Sequence, residues 1–204
     1  MESFRHKNIC LKNGVFNIKI VFLIVGESSS GKDSLVEKLC KDTELKQLKS
    51  YTTRTRRDEE LDTHIFIDKN DVKKYVDKMI AYTCISDNEY FATISQLYES
   101  DLYIIDSVGI DYMKFITQYK GIDDIRFVTI YINTPHELRT ERALNQRHDD
   151  PEVYYNRVLA EQEQFINFKA SAKFDYAISN VDFDKAYKIF KHIVETELEV
   201  NTSD

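Results

Sequence analysis

The chain has 204 residues, 42% of them hydrophobic and 31% charged, as in a soluble globular protein with a substantial core. A formal net charge of −7 argues against a general nucleic-acid-binding protein, which needs a broad basic surface. No apolar run approaches the length of a membrane span, and Met1–Val15 lacks the apolar region of a signal peptide.

The three cysteines, Cys10, Cys40 and Cys84, are odd in number and scattered along the chain. This arrangement argues against a disulfide framework. A reducing, cytoplasmic setting is therefore expected.

Short apolar runs alternate with helix-like stretches along most of the chain. A strand at Ile18–Val25 precedes a helix at Lys32–Cys40, whose apolar residues share one face. The later strands are predicted at Leu102–Asp106, Phe127–Ile132 and Tyr176–Ile178, and the later helices near Asp111–Tyr119 and at Pro135–Arg147, Pro151–Phe168 and Asp182–Glu197. The alternation predicts an α/β fold with a parallel sheet flanked by helices on both faces.

One segment breaks this rhythm. Between Tyr51 and Ser95, apolar residues alternate with polar ones in three short stretches, His64–Ile67, Ile80–Ile85 and Tyr90–Ile94. Alternation with a period of two predicts half-exposed strands. We expect an insertion with its own small mixed sheet beside the main core.

The stretch at residues 26–34, Gly-Glu-Ser-Ser-Ser-Gly-Lys-Asp-Ser, follows the first strand directly and opens the first helix. Its G-x-x-x-x-G-K spacing is typical of a P-loop, in which backbone N–H groups, a lysine and a helix N-terminus surround phosphate oxygens. A Ser/Gly-rich turn without a ligand is the alternative. The predicted triphosphate-binding residues are Gly26, Ser28, Ser29, Ser30, Gly31, Lys32, Asp33 and Ser34.

The residue after Lys32 departs from the common motif. Ser or Thr usually follows the lysine and supports Mg²⁺, but here Asp33 intervenes and the hydroxyl arrives at Ser34. The Asp33 carboxylate is suited to hold a metal-bound water or to cap the helix.

A second polar cluster lies at residues 50–57, Ser-Tyr-Thr-Thr-Arg-Thr-Arg-Arg. Three arginines so close together repel one another unless an anion is present, and arginine binds phosphate through two N–H groups. The alternative is a solvated basic turn.

Together with the P-loop, this cluster resembles the guanylate kinase family, whose monophosphate loop reads S-x-T-T-R-x-x-R. Further matches are His64-Ile65-Phe66 for Tyr-x-Phe, Tyr90-Phe91-Ala92-Thr93 for Tyr-Tyr-Gly-Thr, and Asp175-Tyr176-Ala177-Ile178-Ser179-Asn180 for the closing motif. The resemblance covers residues 18–197. It implies one domain over residues 1–204, with a core at 18–50, 96–141 and 158–204, an insertion at 51–95 and a lid at 142–157.

Three arginines in the implied lid, Arg142, Arg147 and Arg157, follow the family pattern, although the middle one is displaced by one residue. The resemblance implies that they and Lys32 are catalytic and stabilise the transferred phosphoryl group. Ion pairs of helix arginines with nearby glutamates are the alternative.

The resemblance also implies a reaction and its cofactors, the transfer of the ATP γ-phosphate to a nucleoside monophosphate with Mg²⁺. The implied monophosphate-binding residues are Ser50, Arg54, Arg57, His64, Tyr90 and Thr93. Ser34 and, through water, Asp106 would support the metal, with a helix N-cap as the alternative role of Asp106.

The identity of the base is the least determined feature. The two acids with which family members recognise guanine are absent, since Ala81 and Val108 occupy those positions. GMP or dGMP is favoured by the resemblance alone. Another (deoxy)nucleotide, a phosphorylated sugar, or a non-catalytic binding module stays open, as does the oligomeric state.

Overall fold

The computed structural model describes residues 18–56, 63–85 and 87–203. Its elements in chain order are β1 (Lys19–Val25), α1 (Lys32–Asp42), β2 (Ser50–Thr52), β3 (His64–Phe66), β4 (Met79–Ile85), β5 (Asn88–Thr93), α2 (Ile94–Glu99), β6 (Leu102–Ile104), α3 (Ser107–Tyr119), β7 (Ile125–Asn133), α4 (His136–Glu141), α5 (Pro151–Ser171), β8 (Tyr176–Ser179) and α6 (Phe183–Ser203). Two 3₁₀ segments, Lys69–Lys74 and Val76–Lys78, precede β4, and a π-helical turn at Arg142–Gln146 follows α4.

The main sheet has the order β6-β1-β7-β8, and its strands are all parallel. The central strand β1 places Leu23 between Tyr103 of β6 and Thr129 of β7. The predicted parallel sheet is therefore confirmed.

Helices cover both faces of this sheet because β1 is apolar on both sides. Ile20, Phe22 and Ile24 pack with residues of α1 and α6, and the alternate residues of β1 pack with residues of α3 and α5. Burying each such side chain contributes about 1.5–3 kcal/mol, so the two layers fix the position of the strand. The loop that follows β1 is thus held on a rigid element.

The second sheet has the order β3-β2-β5-β4 and lies in the predicted insertion. β2 pairs parallel with β3, whereas β5 pairs antiparallel with both β2 and β4, so the sheet is mixed as predicted. Val72, Met79 and Phe91 form a small core of its own, while Ile80 joins the core beneath α3.

Several boundaries differ from the sequence-based prediction. α3 begins at Ser107 because the Asp106 carboxylate accepts hydrogen bonds from the Val108 and Gly109 N–H groups and caps the helix. The helix predicted at Pro135–Arg147 is α-helical only through α4 and then continues as the π turn.

Across residues 18–56, 63–85 and 87–203, no helix is both long and apolar enough to cross a bilayer. Cys40 and Cys84 are free thiols, and Cys10 lies outside the described residues.

Candidate phosphate-binding site

The phosphate loop, residues 26–34, joins β1 to α1 and is tightly packed at both glycines. A Cβ at Gly26 would lie 2.6 Å from Ser30 Oγ, and a Cβ at Gly31 would lie 2.5 Å from Asn180 Nδ2. Gly31 also has a φ of +84°, which side chains disfavour. The loop conformation thus requires glycine at both positions. The first N–H groups of α1, which have no partner within the helix, lie directly after Gly31, and such N–H groups can bind an anion.

The carbonyl oxygen of Ser30 anchors the loop to the ends of two neighbouring strands. It accepts hydrogen bonds from Thr134 Oγ1 at 2.9 Å, Asn180 Nδ2 at 2.7 Å and Arg142 Nη1 at 3.2 Å. Thr134 follows β7 and Asn180 follows β8. Parallel strands thus place these donors at one edge of the sheet, where open α/β sheets bind ligands.

Glu27 belongs to the loop itself and is a buried acid, 6% exposed. Its carboxylate accepts hydrogen bonds from Lys169 Nζ at 3.0 Å and from the Tyr131 hydroxyl at 2.8 Å, and Arg139 Nη2 lies 3.8 Å away. Burial opposes ionisation, but the hydrogen bonds from Lys169 and Tyr131 and the Arg139 charge together lower the pKa of Glu27. An ionised Glu27 therefore links α4 and α5 to the loop.

Ser28 and Ser29 contact residues from the C-terminal half of the chain. The Ser28 N–H and hydroxyl donate to the two carboxylate oxygens of Glu161 on α5, at 2.8 and 2.5 Å. Ser29 has a φ of +64°, and its hydroxyl accepts a hydrogen bond from Arg147 Nη2 at 2.8 Å. A left-handed serine is strained, so the surrounding contacts hold the loop in this shape.

The first turn of α1 carries the other predicted triphosphate-binding residues. The Lys32 side chain is 19% exposed, and Nζ lies 3.7 Å from Asp33 Oδ2. Asp33 and Ser34 are exposed at the helix N-terminus. Lys32 therefore offers its charge to the space in front of the loop, whereas contact of the Ser34 hydroxyl with a metal stays a prediction.

Two of the predicted lid arginines contact the loop. Arg142 donates to the Ser30 and Asn180 carbonyl oxygens, and Arg147 donates to Ser29 Oγ and Asp149. Arg157 lies one turn before Glu161 on α5 and lines the adjacent cavity.

The π turn explains how the displaced middle arginine still reaches the loop. The Arg147 N–H donates to the Arg142 carbonyl oxygen at 3.1 Å, an i to i−5 hydrogen bond. Such a turn accommodates one extra residue within a helix and turns residues five apart toward one side. Arg142 and Arg147 therefore contact the loop together despite the extra residue between them.

The residues predicted to bind the monophosphate lie on the small sheet. Ser50 Oγ is 2.9 Å from His64 Nδ1, because β2 and β3 pair at these positions. The His64 and Tyr90 rings pack with centroids 5.8 Å apart, and the Arg54 guanidinium lies over the Phe66 ring at 5.3 Å. These side chains form one polar and aromatic surface.

Two predicted members of this set are placed differently. Thr93 is buried and begins α2, where its side chain accepts from the Gln96 N–H and its own N–H donates to Gln96 Oε1 at 2.9 Å. Thr93 does not line either described cavity, so its contact with a phosphate stays a prediction. Arg57 lies outside the described residues.

A cavity of about 570 Å³ separates the phosphate loop from this surface. Lys32 and Asp33 line it from the loop, and Ser50, Arg54, His64, Tyr90, Arg157 and Glu161 line it from the small sheet and α5. Positive groups therefore border one cavity from three directions. Such a cavity suits two phosphate groups held end to end.

A smaller cavity of about 180 Å³ extends beside it, lined by Ala81, Thr83, Asp106 and Gln164 among others. Burial raises the pKa of Asp106, although the N–H groups of Gly109 and Val108 that it caps oppose this. The N-cap alternative for Asp106 is thus confirmed, and its carboxylate also faces a cavity that Lys32 borders.

The few side-chain oxygens at this site suit Mg²⁺ better than a metal whose ligands all come from the protein. Within the three described ranges, no group of three or more His, Cys, Asp or Glu residues is arranged to hold a metal. Mg²⁺ keeps most of its waters and takes one or two protein oxygens together with substrate phosphates. Asp106 lines the smaller cavity together with Lys32, whereas Ser34 lines neither cavity, so support of the metal by these two residues stays a prediction.

Three residues that belong to or contact the phosphate loop are not predicted by the sequence. They are Glu27, Arg139 and Glu161, none of which belongs to the predicted site. Arg139 is 8% exposed and donates to the Thr134 and Ser28 carbonyl oxygens as well as facing Glu27. The only sequence signal was an acid inside the P-loop motif, which implies a buried cation nearby.

The chain is similar to guanylate kinases in sequence and in fold. The family model described as guanylate kinase matches residues 19–197. The guanylate kinase of Methylococcus capsulatus is 29% identical over 189 residues, covering 87% of this chain and 88% of that protein. The guanylate kinase of Mycoplasma genitalium is 28% identical over 190 residues, covering 87% and 75%.

The crystal structure of guanylate kinase from Anaplasma phagocytophilum superposes with a TM-score of 0.61 at 19% identity, covering 89% of this chain and 87% of that one. At this identity the likeness shows the fold alone.

Proposed function

Because the chain belongs to the guanylate kinase family, we propose that it transfers the γ-phosphate of ATP to a nucleoside monophosphate, with GMP or dGMP as acceptor. The observation that carries the proposal is the shared cavity. Lys32 of the phosphate loop and the Ser50, Arg54 and His64 side chains of the small sheet border the same space. Donor and acceptor phosphates would meet there in line.

The donor half of the mechanism follows from the loop. Loop N–H groups and Lys32 would bind the β- and γ-phosphates, whose negative charge is stabilised by fixed dipoles and a nearby cation. Mg²⁺, supported by Ser34 and Asp106, would neutralise charge on the phosphate oxygens. Buried Glu27 and Arg139 hold the loop in shape for this task.

The acceptor half depends on the small sheet and the lid. Ser50 and Arg54, with Arg57, would hold the monophosphate, and Tyr90 would pack beside it. Arg157 on α5, together with lid arginines Arg142 and Arg147, would surround the transferring group and exclude water as residues 142–157 close.

Guanine requires hydrogen-bond acceptors for its N1–H and amino groups. Ala81 supplies none, but Thr83 and Gln164 line the same smaller cavity and carry side-chain oxygens that can accept hydrogen bonds. This lining supports GMP or dGMP over nucleotides whose base lacks a ring N–H and an amino group side by side. The proposed setting is the cytoplasm, with small-molecule nucleotides as partners.

A coupled assay of ADP release tests the proposal. ATP and Mg²⁺ are supplied with GMP, dGMP, AMP, CMP, dTMP or ribose 5-phosphate in turn. We expect the highest kcat/KM with GMP or dGMP and none with the sugar phosphate. If none of the monophosphates raises ADP release above the rate of ATP hydrolysis alone, the kinase function is refuted. A preference for another base would refute only the proposed acceptor.

A further inference from the structure

One hydrogen-bonded link joins α5 directly to the phosphate loop. Both carboxylate oxygens of Glu161 are engaged by Ser28, one by the backbone N–H at 2.8 Å and one by the hydroxyl at 2.5 Å. Ser28 is 7% exposed, so the link is shielded from water on the loop side. The two residues are 133 positions apart in sequence.

The link places an anion on an anion-binding loop. N–H groups of a P-loop attract negative charge, and a carboxylate is the side chain most like a phosphate group in its charge and paired oxygens. Glu161 also lines both cavities alongside Lys32. Its carboxylate therefore occupies part of the space that borders the predicted triphosphate-binding residues.

We propose that Glu161 acts as an internal substitute for a nucleotide phosphate, bound to Ser28 in the nucleotide-free protein and displaced when a nucleotide binds. The proposal rests on the proposed function, since it takes the loop to be the nucleotide site. While Glu161 is bound, it satisfies the Ser28 N–H and holds the loop. The nucleotide must then compete with it.

Displacement has a consequence for α5. Arg157 lies one helical turn before Glu161, and both line the larger cavity. Loss of the Ser28 link frees this part of α5 from the loop at the moment when phosphate charge arrives for Arg157. Binding of the donor nucleotide is thereby coupled to the position of the lid residue Arg157. The affinity for the nucleotide is lower as a result, because Glu161 must be displaced first.

Isothermal titration calorimetry on the full chain tests the competition, with ADP plus Mg²⁺ and with tripolyphosphate as probes. Glu161→Gln removes the charge and keeps the size, and Glu161→Ala removes the link. Glu163→Gln is the matched control, since Glu163 is exposed on the same helix and carries the same charge. Thermal unfolding of each unliganded variant checks that it is folded.

We expect both Glu161 variants to bind both probes about 10-fold more tightly than the wild type, which corresponds to about 1.4 kcal/mol. The control should bind like the wild type. Equal or weaker binding by the Glu161 variants would overturn the proposal while leaving the kinase function intact. Tighter binding without phosphoryl transfer in the coupled assay would refute the function alone, and no binding by any protein would refute both.

Discussion

Replacement of Glu27 by glutamine tests whether the buried network beneath the loop stabilises the protein. The variant keeps the shape of the side chain but removes the charge that Lys169 and Arg139 face. It also replaces one carboxylate oxygen with an amide NH₂, which cannot accept a hydrogen bond, so the hydrogen bond from either Tyr131 or Lys169 is lost. The perturbation is thus confined to charge and hydrogen bonding.

The magnitude follows from the geometry. Hydrogen bonds to a charged group contribute about 1.5–3 kcal/mol each, and Lys169 is half-exposed, so its share is discounted. Arg139 loses the opposite charge of Glu27 but keeps its hydrogen bonds to the Thr134 and Ser28 carbonyl oxygens, which still offset part of the cost of its burial. We therefore expect the free energy of unfolding to fall by about 2–3 kcal/mol at pH 7, with Tm lower by about 4–12 °C.

Urea unfolding of the wild type, Glu27→Gln and the control Glu163→Gln measures this difference. The folded-state pKa of Glu27 is lowered from its ordinary value of 4.5, so its stabilisation is present above that value and lost as the pH falls through the folded pKa. The gap between wild type and variant should be constant near neutral pH and shrink below about pH 4.5. Surface substitutions usually change the free energy of unfolding by less than about 0.5 kcal/mol. A loss within that range at pH 7, or a difference between wild type and variant that grows at acidic pH, would refute the reasoning.

Three further substitutions test single features of the site. Lys32→Ala should lower kcat/KM for ADP release by on the order of 10²–10³ while leaving Tm nearly unchanged, and full activity would remove lysine from the mechanism. Ser29→Gly should raise the free energy of unfolding by about 0.5–1 kcal/mol because it relieves a φ of +64°; Ser29→Ala keeps the strain and should give no gain, and equal effects of the two would contradict this account. Asp106→Ala removes the N-cap of α3 and should cost about 1 kcal/mol in urea unfolding, whereas an unchanged midpoint would show that the cap is dispensable.

The features that the sequence predicted are those encoded by neighbouring residues. Gly26, Gly31 and Lys32 lie within one loop between a buried strand and an amphipathic helix, so their spacing and position are enough to predict a phosphate-binding loop. The period of the apolar residues predicted the strands of the main sheet and three of the four strands of the small sheet, because strands buried on one or two faces carry different patterns. It did not predict β2, which has only three residues.

The features that the sequence did not predict depend on residues far apart in the chain. Lys169 lies 142 positions from Glu27, and Glu161 lies 133 positions from Ser28, so no local pattern pairs them. The π turn is intermediate. Its signal in the sequence is the extra residue between Arg142 and Arg147, which shows a departure in spacing but does not specify the type of helix.

The central claim is that one cavity holds the donor and acceptor phosphates end to end. Its most direct test is competition binding by a bisubstrate analogue, in which adenosine and guanosine are joined by a polyphosphate chain. We expect one molecule to bind per chain, to compete with both ATP and GMP, and to bind more weakly to Lys32→Ala and to Arg54→Ala. Competition with ATP alone, or full affinity in the Arg54 variant, would contradict the account.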